Sequence, residues 1–467
     1  MTRTHLTALI VASALFMENL DSTVIATSLP AIAASIQSDP IALKLAFTAY
    51  LLSLAVFIPV SGWAADRFGA RTVFCTAIGV FLVGSIGCAV SSSLTDFVLA
   101  RIIQGLGGAM MTPVGRLVVV RSAPRHELMN AMTWLTFPAL VGPLVGPPLG
   151  GFITTFFSWH WIFLINIPVG LLGLAGALIF VDNTRAEDPR PLDRLGFLLS
   201  GVGLSGLVFG LSAFGQDADA FPHWVAGLLV LVGIGSTAAY IRHARHTPFP
   251  LLDLGLARID SFRIAVIGGF FFRVGMGAVP FLLPLMLQLG LGMDPFQSGS
   301  LTFVSAAGAL LMKTTAPMIV RRFGFRMVLT VNAMLCAVTM AINGLFIYAP
   351  PQAVILSVLL VGGFLRSLQF TSLNTVAFAD VEQERLSAAT SFSAVAQQLA
   401  ASTGVTLAAL VLGTLRGPDG SILPMDFLYA FFAVGLFSSL SLWWFFQMTP
   451  ETGEGMAGHE KHKAPVS

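Results

Sequence analysis

Residues 62–71 read GWAADRFGAR and residues 317–326 read PMIVRRFGFR. Aligned, Arg67, Phe68, Gly69 and Arg71 pair with Arg322, Phe323, Gly324 and Arg326. Met once, such a basic turn between apolar stretches is an ordinary cytoplasmic loop. Met twice, each time after the second apolar segment of a half, it describes a chain built as two parallel membrane repeats.

Composition supplies the membrane. The chain has 467 residues, 55% hydrophobic and 10% charged, with a mean hydropathy of +0.84, which is too apolar for a soluble domain. Apolar segments of about 20 residues, separated by short polar loops, recur fourteen times, at approximately 6–29, 43–64, 73–93, 97–119, 130–156, 161–181, 195–215, 224–242, 263–289, 296–318, 327–348, 352–376, 388–413 and 426–447. With the amino terminus cytoplasmic, eighteen Lys and Arg residues face that side, among them Arg3, Arg121, Arg125, Arg185, Arg190, Lys461 and Lys463, against Lys44 and Arg416 on the other. That is the positive-inside pattern, and it places both termini in the cytoplasm. The expected fold is an all-α polytopic membrane protein with 14 transmembrane helices. Equating the second and tenth segments leaves two helices over in the middle. The division is therefore 1–181, a six-helix bundle; 182–262, a linker with two inserted helices; 263–447, a second six-helix bundle; and 448–467, a cytoplasmic tail.

The composition also excludes classes of function. A net charge of +2 offers no nucleic-acid surface, and the three cysteines lie in apolar runs without metal-ligand spacing. No lysine follows the glycine spacing of a phosphate-binding loop, and no histidine lies well inside a predicted span, so neither ATP hydrolysis nor metal catalysis has its parts. The protein is expected not to be an enzyme and to need no cofactor. A channel or a non-transporting sensor stays open as the alternative to a transporter.

Charges away from the ends of the spans carry the functional signal. Glu18 and Asp21 are the acids so placed, and each costs about 2.5–3.5 kcal/mol near the bilayer centre on insertion scales. Their spacing of three puts both on one helix face. At 1.5 Å per residue, Asp21 lies about 12 Å from the outer end of its span and Arg101 about 6 Å from the outer end of the fourth, so the two can pair. A structural polar network holding the first helix is the alternative. Arg273 and Arg366 fall near the midplane of the ninth and twelfth spans, where a guanidinium suits a carboxylate or phosphate, or else caps carbonyls freed by nearby glycines. In the fifth span, GPLVGPPLGG sets Gly142, Gly146 and Gly150 four apart, with Gly151 beside them and Pro143, Pro147 and Pro148 between, which predicts a closely packed hinge between bundles.

These stretches resemble signatures of the major facilitator superfamily and, within it, of the fourteen-helix drug:proton antiporters. GWAADRFGAR is similar to the superfamily loop, with Gly62, Asp66, Gly69 and Arg71 in place and Ala64 where leucine is usual. LDSTVIATSLP resembles the first-helix signature, LARIIQGLGGA (Leu99 to Ala109) the fourth, GPLVGPPLGG the fifth, and WHWIFLINIPVG (Trp159 to Gly170) the entry to the sixth. The resemblance implies a proton-coupled exporter of drugs or metabolites in the cytoplasmic (inner) membrane, working as a monomer with a small-molecule substrate and protons as partners. It implies a cavity lined by spans one, four, nine and twelve, hence by Glu18, Gln104, Arg273 and Arg366. Asp21 would carry the proton, with Arg101 biasing it and Glu18 as a second acid. Asp66, with Arg67 and Arg71, would clamp a cytoplasmic loop, and Arg321 in its place in the second repeat makes that clamp asymmetric. Basic residues in the second half favour an anionic or zwitterionic cargo over hydrophobic cations.

Overall fold

The computed structural model describes residues 3–124, 127–186, 191–213, 222–417 and 421–449. The expectations for Arg125, Arg190, Lys461, Lys463 and the tail beyond Thr449 lie outside the described residues. Every regular element among the described residues is helical, as a chain that must satisfy its backbone inside lipid requires. The crossing helices are α1 Arg3–Val24, α2 Lys44–Phe68, α3 Ala70–Val90, α4 Leu94–Ser122, α5 Leu128–Phe156, α6 Trp161–Phe180, α7 Arg194–Ala213 and α8 His223–Ala244, followed by α9 Asp260–Gly290. Beyond it, Pro295–Gly344 is one run of 50 residues broken at Gly324, where φ 72° and ψ 160° are not helical, so 295–323 is α10 and 325–344 is α11. The series ends with α12 Gln352–Ala377, α13 Leu386–Leu415 and α14 Pro424–Phe446. Fourteen crossings put both chain ends on one face, called here the near face.

The repeated turn closes in the same way in both halves. Arg71 donates from Nη1 to the Val181 carbonyl (3.3 Å), just past α6, and Arg326 donates from Nη2 to the Phe446 carbonyl (3.2 Å), at the end of α14. Each arginine thus ties the second turn of its half to the last helix of that half, which is the parallel repeat expressed as hydrogen bonds. Asymmetry enters through Asp66, which accepts from Arg121 Nη2 at the end of α4 (2.6 Å), and through residues 181–186, which lie along the first turn. There the Ala70 amide donates to Thr184 O (3.0 Å) and Ala186 to Asp66 O (3.2 Å). Gly69 has φ +96°, and a Cβ there would collide with the Asn183 side chain; Gly324 has φ +72° with open space around it.

The glycine stripe of α5 packs inside its own bundle. Added Cβ atoms on Gly142, Gly146 and Gly150 would strike Asn19, Thr23 and Val24 of α1, whereas one on Gly151 would strike Pro295 of α10. In this conformation Gly142, Gly146 and Gly150 serve α1–α5 packing, while Gly151 and Pro147, which lies against Gly299, face the second half. The helix runs unbroken past Pro138, Pro143, Pro147 and Pro148.

The two halves meet at the far face. One apolar cluster runs from α1–α6 into the far ends of α9 (Ala278 to Leu287), α12 (Ile355, Leu359), α13 (Val405 to Leu412) and α14 (Phe427 to Val434). On the near side the second half has a separate cluster of its own, including Phe262, Phe272, Met312, Leu329 and Leu373. Gln288 Nε2 donates to Thr27 O (2.9 Å) and the Phe296 amide to Thr155 Oγ1 (3.1 Å) across the far seam. The molecule is sealed there and divided on the near side.

The inserted pair α7–α8 is tied to both neighbours. Phe57 of α2 packs on Phe197 with ring centroids 5.6 Å apart, and Ser212 bonds Thr406 of α13 (3.0 Å). On the near face Asp193 accepts from His243 Nε2 (2.7 Å), and its second oxygen holds the Leu251 amide (3.3 Å) of the connector to α9. Burial raises the Asp193 carboxyl, but the bonds from His243, Gly196 and Leu251 outweigh it and leave the group below its ordinary value. A depressed carboxyl stabilises this anchor above the ordinary carboxylate range and loses that contribution as pH falls through its lowered value.

Two outcomes are expected. A cysteine at Arg258 and one at Asp294, exposed on either side of α9, should react with an impermeant thiol reagent from opposite faces; reaction from the same face would overturn the count of crossings. Gly324→Ala should cost about 1–3 kcal/mol through backbone strain. Gly69→Ala should cost more, because Asn183 must also move; equal losses in thermal unfolding would remove Asn183 from the account.

Candidate functional site

The two acids of α1 enter different surroundings. Asp21 is 0% exposed and Arg101 1%, with Arg101 Nη1 donating to Asp21 Oδ2 at 2.7 Å. Asp21 Oδ1 accepts from Gln104 Nε2 (2.8 Å) and from Asn166 Nδ2 (2.9 Å). Gln104 turns its own oxygen to Arg101 Nη1 (2.6 Å), and both amides also donate to Ser85 Oγ, at 2.9 Å from Gln104 and 3.3 Å from Asn166. The guanidinium lies over the Tyr50 ring, 4.0 Å from its centroid. An ion pair out of water is retained when hydrogen bonds fill its remaining lone pairs, and Asp21 receives three donors from two other helices. Arg101 Nε has no hydrogen-bond partner, so the cation is the less completely satisfied member.

One turn toward the near face, Glu18 is partly exposed and accepts from Thr112 Oγ1 of α4 (2.7 Å). The spacing of three keeps both acids on the side of α1 that meets α4.

Between the halves lies a cavity of about 420 Å³, beneath the far-face seam. Thr23 of α1 and Thr27 just beyond it, Pro143 and Pro147 of α5, Met276 and Pro280 of α9, Thr302, Ser305 and Lys313 of α10, and Arg366, Ser367 and Phe370 of α12 line it. The two charged lining residues are both cations, and no acid lines it. Arg366 donates from Nη2 to Ser305 Oγ and from Nε to its own helix at Gly362 O (3.3 Å).

The other expected cavity residues sit elsewhere in this conformation. Gln104 is sealed in the Asp21 network, Glu18 faces Thr112, and Arg273, 3% exposed, is absent from the lining. Arg273 bonds Ala265 O (3.2 Å) and Asn374 Oδ1 (3.0 Å) and lies 5.3 Å from the centroid of Phe370, which does line the cavity. Ala265 belongs to a π-helical stretch, Ile264–Gly268, whose wide turn loosens the carbonyl ladder that Arg273 completes. A carbonyl-capping role for Arg273 and Arg366 is thus present, at Ala265 and Gly362. On the near face, Arg67 is exposed, and Asp66 pairs with Arg121 at the end of α4. Among the described residues no cluster of His, Cys, Asp and Glu could hold a metal.

Sequence reasoning missed Asn166, Ser85, Tyr50 and Thr112. Asn166 lies inside WHWIFLINIPVG, and an amide in so apolar a run was the available signal; Ser85 and Thr112 are small polar residues of a kind that packs in any membrane helix.

Comparison with known proteins agrees with this architecture. Residues 11–241 and 265–467 match the model of the Major Facilitator Superfamily. The chain is 42% identical over 410 residues, 86% of its length and 85% of the relative's, to the "Putative multidrug resistance protein MdtD" of Citrobacter koseri. It is 38% identical over 458 residues, 96% of its length and 95% of the relative's, to the protein of that name from Escherichia coli K12. Among solved structures, a D-xylose–proton symporter superposes with TM-score 0.68 at 17% identity, covering 97% of this chain and 99% of that one. The POT family transporter PepTSo does so with TM-score 0.67 at 14% identity, covering 96% and 98%. At such identities the likeness is one of fold. From the family model and the long, well-conserved relatives it follows that this chain belongs to the major facilitator superfamily, and is a multi-pass membrane transporter of small molecules rather than an enzyme.

Proposed function

We propose that the protein is a proton-coupled antiporter of the cytoplasmic membrane, both termini inside, that exports small molecules through the cavity between its halves. The observation that carries the reading is the Asp21–Arg101 pair at 2.7 Å, sealed from solvent in the first half. A guanidinium does not give up its proton at accessible pH. Protonation of Asp21 therefore removes the anion while leaving the cation, and the pair becomes a lone buried charge. Such a charge is unfavourable by several kcal/mol unless the helices around it shift. Coupling then consists of Asp21 alternating between a paired, ionised state and a neutral state that releases Arg101 toward the gap. Glu18, one turn nearer the near face and partly exposed, is positioned as the next proton acceptor. Asp66 and Arg121, partly exposed at 38% and 27%, form a near-face clamp worth under about 1 kcal/mol, weak enough to open each cycle.

The cavity lining supports a cargo with an anionic group, drug or metabolite. Arg366 and Lys313 line it, the hydroxyls of three threonines and two serines surround them, and a hydrophobic cation would find no carboxylate there. The relatives' name speaks of multidrug resistance, and an anionic or zwitterionic drug satisfies both. The division into bundles 1–181 and 263–447 with an inserted pair between them is adopted as the working description, and the monomer as its unit.

Replacing Asp21 by Asn should abolish substrate-driven proton movement in proteoliposomes and, by stranding Arg101, lower stability by about 3–5 kcal/mol. Adding Arg101→Gln should restore stability without restoring coupling; retained proton movement in either variant would sink the assignment, and flux at channel rates would favour a pore. Counterflow with matched carboxylate and quaternary-ammonium cargoes should favour the carboxylate at least tenfold, and Arg366→Gln with Lys313→Gln should erase that preference. Preference for the cation, unchanged in the double variant, would return hydrophobic-cation efflux to first place.

A further inference from the structure

Among the described residues, the far seam carries one ion pair between the halves. Arg416, which ends α13, donates from Nη1 to Asp39 Oδ2 at 2.6 Å, and the two side chains are 26% and 29% exposed. Asp39 lies in the turn between α1 and α2, where its Oδ1 also caps the Ile41 amide (3.0 Å). Five residues on, at the first position of α2, Lys44 is 1% exposed, and its Nζ has no hydrogen-bond partner among the described residues. Asp39 is the acid whose charge acts on it. A buried ammonium without a bond is an unfavourable arrangement that persists where another state satisfies it.

We infer that Asp39 is a two-position latch of the far gate: it holds Arg416 of the second half while the seam is closed, and passes to Lys44 of its own half when the seam opens. The geometry gives the direction. Opening carries the end of α13 away from the α1–α2 turn, and Arg416 goes with it. Asp39 and Lys44 both belong to the first half and stay together. The carboxylate then has a cation in either state, and Lys44 gains the partner it lacks in the closed one. Closed and open states are thus brought close in free energy, as a gate that works at every turnover requires. This rests on the two-half architecture and not on the proton or cargo proposed above, so its failure would leave those untouched.

The test follows the gate directly. Spin labels at Gln37 and Leu423, both exposed and on opposite sides of the far seam, report its width in lipid by pulsed dipolar spectroscopy. Arg416→Gln should raise the open-to-closed ratio about three- to fivefold, the size expected of a half-exposed pair. Lys44→Met should lower it by a similar factor, Lys44→Arg should leave it near the wild-type value, and the Arg416→Gln, Lys44→Met double variant should return toward wild type. A Lys44→Met variant that leaves the ratio unchanged, or raises it as Arg416→Gln does, would overturn the exchange. So would a double variant that stays as open as Arg416→Gln alone.

Discussion

A carboxylate at zero exposure inside a hydrophobic bundle dictates much of what surrounds it. Asp21 on α1 is met by Arg101 and Gln104 from α4, Asn166 from α6, Ser85 from α3 through the two amides, and Tyr50 from α2 over the guanidinium. The remaining helix of the first half, α5, packs on α1 through Gly142, Gly146 and Gly150. All six helices are therefore placed with respect to one charged position. Moving α1 along its axis by one residue, about 1.5 Å, would break every donor to Asp21 at once, so the network also fixes the register of the bundle.

The second half keeps the repeat's frame without its acids. Arg71 and Arg326 make equivalent bonds to the ends of α6 and α14, yet where the first half buries an ion pair the second buries Arg273 among a carbonyl, an amide and an aromatic face. Neutral acceptors hold a guanidinium without cancelling its charge. The first half thus carries a group whose net charge changes on protonation, and the second carries fixed positive charge next to the cavity. That difference follows from where the carboxylates lie, Asp21 well inside α1 and Asp426 only in the first turn of α14.

Much of this was legible in the residues. Fourteen apolar segments make fourteen crossings because lipid leaves the backbone no alternative to a helix, and the depths of Asp21 and Arg101 in their spans allow the pair. What was not legible depends on helix rotation and on neutral partners. Gln104 and Arg273 were assigned to the cavity by the helix that carries them, and a helix has a buried side as well as a lining one. The glycine stripe of α5 announced close packing without saying against which neighbour. Lys44 read as a loop charge, because sequence shows that it begins a span but not that it is covered. Ser85 and Asn166 carry no cost large enough to stand out from packing residues.

The seam between the halves is weak by construction. Within the first half, a full ion pair, two further bonds to the same carboxylate and a continuous apolar core resist separation. Across the seam, the polar ties are Gln288 to Thr27, Phe296 to Thr155, and the part-exposed pair of Asp39 and Arg416. Net hydrogen bonds of this kind contribute about 0.5–1.5 kcal/mol and exposed pairs less, so the polar part of the seal is small beside what holds either bundle. The rest is close apolar packing, in which Gly151 and Gly299 let α5 and α10 meet at backbone distance. Such packing is short-ranged and is lost over a small displacement. The halves can therefore separate at the far face while the ionised Asp21–Arg101 pair stays enclosed within the first.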